Sequence, residues 1–412
     1  MSDIKKVIKD FLPEWIIKHI RVIRLIPQKL KHRVNLFSAI NATIINANEA
    51  GEVIKTIKEE SVETISLAKV YDFVVRGEID FVTPKLDLMK YSNAVIFAAS
   101  DFILFDNKAV WDKFYKPQFT KIVPMDQDLL KRKTNEIFIK KPRKIVNVKV
   151  GFSLCGVHSA AWTHFVVQYL PKLYLIPEIA KLSNEKVTIV LPKYFDPQLH
   201  ELVYEYLAKM NGINILELNE GEAARCNILY QVDNTAWLSE CIRDISPSDG
   251  IIPKYVAESI KSNLLASHTI IGKEGKKIED NIHEKLFIAR GNIRNIVNYE
   301  EVKKYFIQKG YHVIEPHMYT LREKIDLFRT ASLIVGPLSG GFTNLFYCMP
   351  GTKVMILSNY QRCFDTYLGF LNNNFDIDIT VIAGLDENKN DINSSFYIPL
   401  DKIKSACDEL GY

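Results

Sequence analysis

Several marks that would place a chain quickly are missing here. No run approaches the ~18 apolar residues that carry a helix across a bilayer. The six cysteines, Cys155, Cys226, Cys241, Cys348, Cys363 and Cys407, form no CxxC pair and no metal-ligand spacing. That excludes a zinc module and a disulfide scaffold and leaves free, buried thiols in a reducing compartment. No glycine-rich stretch continues into Gly-Lys-Ser/Thr, so a P-loop is absent. No GxGxxG opens a helix, which counts against a nicotinamide-dependent oxidoreductase. An excess of either charge is missing too: the net charge is +4 over 412 residues, and the chain lacks the basic footprint of a nucleic-acid binder.

What charge asymmetry exists is local. Residues 1–33 hold nine Lys/Arg against Asp3, Asp10 and Glu14, a net +6, so the rest of the chain sums to −2. Ile4, Ile8, Phe11 and Trp15 recur there at helical spacing among lysines, with Pro13 and Pro27 breaking the helix into pieces. The pattern suits an anionic membrane surface, and equally a helix docked on the protein's own core. Charges occupy the place where a secretory segment would be apolar. The expected location is therefore cytoplasmic, with peripheral contact at the inner face of the membrane.

The length exceeds one ordinary core, and 47% apolar with 25% charged residues is a globular composition. The spacing predicts a basic segment over 1–33, an N-terminal domain over 34–250, a C-terminal α/β domain over 251–385 and a closing helix within 386–412. Residues 66–140 are β-rich: "AKVYDFVVRG", "NAVIFAASDFILFDN" and "EIFIK" are short β-branched and aromatic runs, with Asp106-Asn107 at a hairpin turn. From residue 146 strands alternate with helices. "VNVKV" and "VTIVLP" read as buried parallel strands flanking the helical "SAAWTHFVVQYLPKLYLIPEIAKL". The turn-rich "RDISPSDGIIP" at 243–253 is the best linker. Beyond it, "KLFIAR", "YHVIEP", "SLIVGP" and "TKVMIL" alternate with helices, two of them capped by Asn298 and Thr320. This is the order of a doubly wound parallel sheet.

In such sheets ligands sit outside the carboxyl ends of the strands. "LIVGPLSGGFTN" opens there onto Ser339, Gly340 and Gly341, where small residues let a ligand reach the main chain and the following helix presents free N–H groups. Thr343 and Asn344 in its first turn add donors. Arg290 and Arg294 follow one neighbouring strand and can grip phosphate oxygens. Glu315 follows another and can accept from ribose hydroxyls. A Gly pair alone would mean only a tight turn; three adjacent strand ends in Arg, Glu and Ser-Gly-Gly describe a nucleotide-diphosphate seat.

At these residues the chain resembles the family 61 glycosyltransferases, which include bacterial capsular polysaccharide enzymes, plant xylan-decorating enzymes and protein O-linked GlcNAc transferases. The family pattern Gly-Pro-His-Gly-Ala-Gly-Leu-Thr-Asn, then an aromatic and Pro-Gly, stands here as Gly336-Pro337-Leu338-Ser339-Gly340-Gly341-Phe342-Thr343-Asn344, then Phe346 and Pro350-Gly351. "LFIARGNIRNIVNYEEV" is similar to its Arg-rich run. "IEPHMYTLREKIDLFRTASLIVGP" is similar to its Glu-containing segment, with Glu323-Lys324 where the family has Glu-Gln. "WTHFVVQYLPKLYLI" looks like its early His-aromatic segment and carries His164. Leu338 replaces the motif histidine, Ser339 replaces a glycine, and Ile356 stands where a Glu often follows Pro-Gly.

The resemblance implies an α/β, GT-B-like fold: two doubly wound, Rossmann-like domains facing a cleft, with a β-rich N-terminal region. It implies a nucleotide-sugar donor in the C-terminal half and a glycan or glycolipid acceptor mainly in the N-terminal half. It further implies inversion at the anomeric carbon, no cofactor and no obligatory metal. The expected product is a surface glycan such as capsule or lipopolysaccharide. Inverting transfer needs one base from the acceptor side. His164 is the first candidate, His158 the second, and Asp101, after "VIFAAS", their rival. Either histidine has an alternative reading as a hydrogen-bonded wall residue. The lost motif histidine at Leu338 supports a second class, a catalytically inactive sugar- or nucleotide-binding scaffold.

Overall fold

The computed structural model describes residues 39–73, 77–111, 128–133, 135–193, 196–236, 251–265, 283–289, 295–362, 366–389, 391 and 393–412. Within them lie two large sheets and one small hairpin sheet, Ser61–Ser66 with Glu78–Thr83. The basic segment over 1–33, most of the 243–253 linker, Cys241 and Cys363 lie outside the described residues.

The second sheet has the predicted form. Five parallel strands lie in the order His312–Ile314, Lys285–Ile288, Leu333–Pro337, Lys353–Asn359, Asp378–Asp386. In chain order this is 2-1-3-4-5, so the winding reverses between the first and third strands. Helices lie on both faces. Tyr299–Gln308 and Leu400–Leu410 bury Val302, Phe306, Ile403 and Ala406 on one side. Leu321–Thr330 and Thr366–Phe375 bury Ile325, Phe328 and Leu371 on the other. The Thr320 cap forms as expected: its Oγ1 accepts from Glu323 N and Glu323 Oε2 accepts from Thr320 N. Asn298 differs. Its side chain makes no cap bond. Instead its Nδ2 donates to Ile398 O at 2.9 Å and its Oδ1 accepts from Ile398 N at 3.3 Å, tying down the chain before the last helix.

The first sheet departs from a doubly wound form. Ile213–Leu218, Val187–Pro192, Lys144–Ser153 and Glu222–Val232 pair in parallel, but Glu222–Val232 then pairs antiparallel with Leu86–Phe97. Beyond it run the short strands of the β-rich region. Within that region Ile103–Phe105 and Lys108–Val110 close on Asp106-Asn107, as the sequence predicts, and such a turn allows only antiparallel neighbours. Among the described residues of "AKVYDFVVRG" the strand is Lys69–Val70, which pairs in parallel with Thr380–Val381 at the edge of the second sheet. One apolar core joins the two sheets, running from Phe165, Leu173 and Ile189 to Ile288, Ile334 and Phe346.

Cys155, Cys226, Cys348 and Cys407 are free and buried. Burial pushes the thiols of Cys155 and Cys348 well up, so they behave as small apolar groups.

Candidate active site

The reversal point of the second sheet is packed around Ile288. A Cβ on Gly336 would lie 2.6 Å from Ile288 O, and one on Gly341 would lie 3.1 Å from Ile288 Cγ2 and 3.5 Å from Pro316 Cγ. These two glycines are bare because three strand tips meet there. Gly340 is different: it is exposed, and its nearest neighbour to such a Cβ is Thr163 Oγ1 at 3.5 Å. The bare backbone that faces open space is therefore at Gly340.

The helix that follows is not the expected α-helix. Gly340–Tyr347 is a 3-10 helix, and threefold winding lines up Phe342 with Leu345, both fully buried. Phe342 N donates to Ser339 O at 3.1 Å. The N–H groups of Gly340 and Gly341 precede that first turn and have no intrahelical acceptor. Ser339 is extended and makes no side-chain cap bond. Thr343 and Asn344 are buried; Asn344 Nδ2 donates to Gly341 O at 2.9 Å, which stiffens the turn from within. Leu338, in place of the motif histidine, packs against the main core. Glu315 sits at the neighbouring strand tip, exposed, 3.6 Å from His317 Nε2. Arg290 and Arg294 lie outside the described residues; the strand that leads to them ends at Ile288.

The three base candidates come together on the first sheet. His158 and His164 have ring centroids 4.7 Å apart. His158 is left-handed, φ 56°, in a turn closed by Ala161 N donating to His158 O. Asp101 Oδ1 accepts from Val157 N at 3.2 Å and lies 3.1 Å from the Tyr169 hydroxyl. A Cβ on Gly156 would collide with both Asp101 and Tyr169, so the loop needs glycine there. Burial raises the Asp101 pKa against the pull of the Lys172 ammonium, and Lys172, itself buried, donates to Asn234 Oδ1 at 2.7 Å. Through Oδ1, Asp101 braces the loop that presents His158.

His164 lies on a helical segment in which Trp162–His164 passes into a π-turn, Phe165–Tyr169, and then into Leu170–Leu173. Its Nδ1 is 2.8 Å from Gln168 Oε1. An amide oxygen only accepts, so the shared proton belongs to Nδ1 and Nε2 keeps its lone pair. Burial, then the neighbouring His158, push the His164 pKa down to about 4, so the ring is neutral at physiological pH. Burial also lowers His158, against Asp101. The residue before His164 spans the two halves: Thr163 Oγ1 is 2.7 Å from Thr343 Oγ1. The His164 imidazole is therefore one residue away from direct contact with the Ser339–Asn344 turn.

Residues 162–355 match the model of the family Glycosyltransferase 61. The enzyme is a glycosyltransferase. The matched stretch starts at the residue that opens the His164 helix and ends in the strand after the Gly340 turn, so it includes both sides of the Thr163–Thr343 contact. His158 and Asp101 lie before it. No curated protein matches the chain.

Sequence reading missed Thr163, Gln168, Tyr169, Lys172 and Asn234. A signal existed for two of them: His164, Gln168 and Lys172 recur every four residues in an otherwise apolar helix, and such polar residues must find buried partners. Among the described residues no group of three His, Cys, Asp or Glu could hold a metal ion. The pair Asp376 and Asp378 lies at the start of the last parallel strand, with Asp378 Oδ1 held 2.9 Å from Lys69 Nζ.

Proposed function

We propose that this glycosyltransferase is an inverting enzyme of GT-B type that moves a sugar from a nucleotide-sugar donor to a hydroxyl of a surface glycan or glycolipid. The observation that carries the reading is the Thr163–Thr343 contact, which sets the residue before His164 against the open backbone of Gly340. In this reading the diphosphate lies against the Gly340 and Gly341 N–H groups, with Arg290 and Arg294 supplying guanidinium charge. Glu315 accepts from the ribose. His164 Nε2 takes the proton from the acceptor hydroxyl. The acceptor oxygen bonds to the anomeric carbon as the bond to the diphosphate oxygen breaks, and the diphosphate leaves with the electron pair. Leaving-group charge is met by N–H and guanidinium donors, so no metal is required. The basic amphipathic pattern of residues 1–33 supports work at the cytoplasmic membrane face, on capsule, lipopolysaccharide or a related polymer.

The test is calorimetric titration with uridine, guanosine and cytidine diphosphates, followed by turnover against a panel of nucleotide sugars read by mass spectrometry. One nucleoside diphosphate should bind saturably, and its sugar conjugates should turn over in the presence of a chelator. Arg290→Ala should lower turnover on the order of a hundredfold or more with unchanged thermal unfolding. Full activity in that variant, or no diphosphate binding at saturation, sinks the assignment.

A further inference from the structure

Away from the reacting groups, a buried lysine sits at the seam between the halves. Lys324 lies on the helix Leu321–Thr330 of the second sheet and is almost wholly buried. Its Nζ stands 3.9 Å from the centroid of the Trp162 ring and donates to Gln198 Oε1, on the helix Pro197–Leu207. Gln198 in turn donates from Nε2 to Tyr319 O, just before the lysine's own helix. The tryptophan packs against the common core, yet its Nε1 has no hydrogen-bond partner among the described residues. The indole is therefore held by its face and not by its polar edge. Trp162 opens the helical segment whose next two residues are Thr163 and His164.

We propose that Lys324 is a positioning residue for transfer: its ammonium clamps Trp162 and Gln198 together across the seam and so sets where His164 stands relative to the Gly340 turn. This rests on His164 being the base. Three observations point the same way. The ammonium is stacked on the aromatic face at close range, where a desolvated cation–π contact is strong. The charge is retained where it is costly, since burial lowers its pKa to about 8 despite the attraction of Asp196 and Glu201. Packing alone does not explain a lysine here, because an apolar chain of similar length would fill the same space without that cost. Glutamine, which the resembled family pattern has at this position, cannot supply the charge.

The two explanations separate in one set of variants. Lys324→Met should leave thermal unfolding unchanged or raised, leave the Kd for the bound nucleoside diphosphate within about twofold, and lower kcat on the order of a hundredfold, as a misplaced reacting group does. Lys324→Arg keeps a cation over the ring and should recover most of kcat. Trp162→Phe combined with Lys324→Met should be no slower than the worse single variant. The histidine ring signals of the full chain, followed by NMR, should show His164 displaced in Lys324→Met and restored in Lys324→Arg. Unmoved His164 signals, or wild-type kcat in Lys324→Met, overturn the proposal. If the wild type turns over no donor, the transfer reading falls while the imidazole signals still decide the clamp.

Discussion

Thr163 Oγ1 and Thr343 Oγ1 share one hydrogen bond of 2.7 Å between helices that belong to different sheets. Thr343 is buried and Thr163 partly buried, and each hydroxyl finds the other as a partner. Thr163→Val or Thr343→Val keeps the shape but leaves one hydroxyl unmatched, and should cost about 1–2 kcal/mol of stability. Replacing both removes the orphan, so the double variant should be more stable than the sum of the singles implies. Urea unfolding of the four proteins reads this cycle. Additive losses would mean that the hydroxyls do not bond.

The glycines of the turn should fail in two different ways. Gly336→Ala forces a methyl to within 2.6 Å of Ile288 O, a backbone atom that cannot step aside, and should lower the unfolding midpoint sharply or prevent soluble expression. Gly340→Ala meets only ordinary contact at 3.5 Å. It should leave the midpoint almost unchanged while weakening nucleoside-diphosphate binding, because the added methyl sits where a ligand approaches the main chain. Equal stability loss in both would remove the distinction between a packing glycine and an open one.

Much of this arrangement was legible beforehand. The parallel second sheet follows from strand–helix alternation, though the alternation does not give its 2-1-3-4-5 order, and Ser339–Asn344 and His164 stand out as residues. What the chain did not show is why Gly336 and Gly341 are glycine: both are bare because Ile288, some fifty residues earlier, presses on them, and a contact between distant strands leaves no local periodicity. The 3-10 winding was hidden for a similar reason. Phe342, Leu345 and Phe346 fit a three- or four-residue repeat alike, and only the facing core decides between them. Asp101 is a candidate base because a carboxylate after a buried strand is conspicuous; its loop-bracing bonds, to Val157 and Tyr169 more than fifty positions away, are not visible in the sequence.

Asp101 gives the third prediction. If the carboxylate is a brace, Asp101→Asn removes the charge that offsets the buried Lys172 ammonium and should destabilise by roughly 3 kcal/mol. Turnover per folded molecule should survive, since Asn can still accept from Val157 N. Loss of all turnover at full stability would instead return Asp101 to the role of base.

The pH dependence of folding offers a direct check on His164. Its folded pKa is about 4 against an ordinary value of 6.5, so the unfolded chain binds the extra proton first as pH falls. Above pH 6.5 neither state is protonated and the imidazole contributes nothing to the difference. Between pH 6.5 and 4 the unfolded state is favoured progressively, by about 3 kcal/mol once pH reaches the folded value. Other groups titrate in the same window, and burial of Asp101 acts with the opposite sign, so the quantity to measure is the difference between wild type and His164→Gln. Urea unfolding at pH 7.5 and at pH 4.5 should show the wild type losing more stability than the variant. Equal losses would mean that His164 is solvated, and a solvated ring would titrate near its ordinary value instead of remaining the neutral acceptor that the transfer step needs.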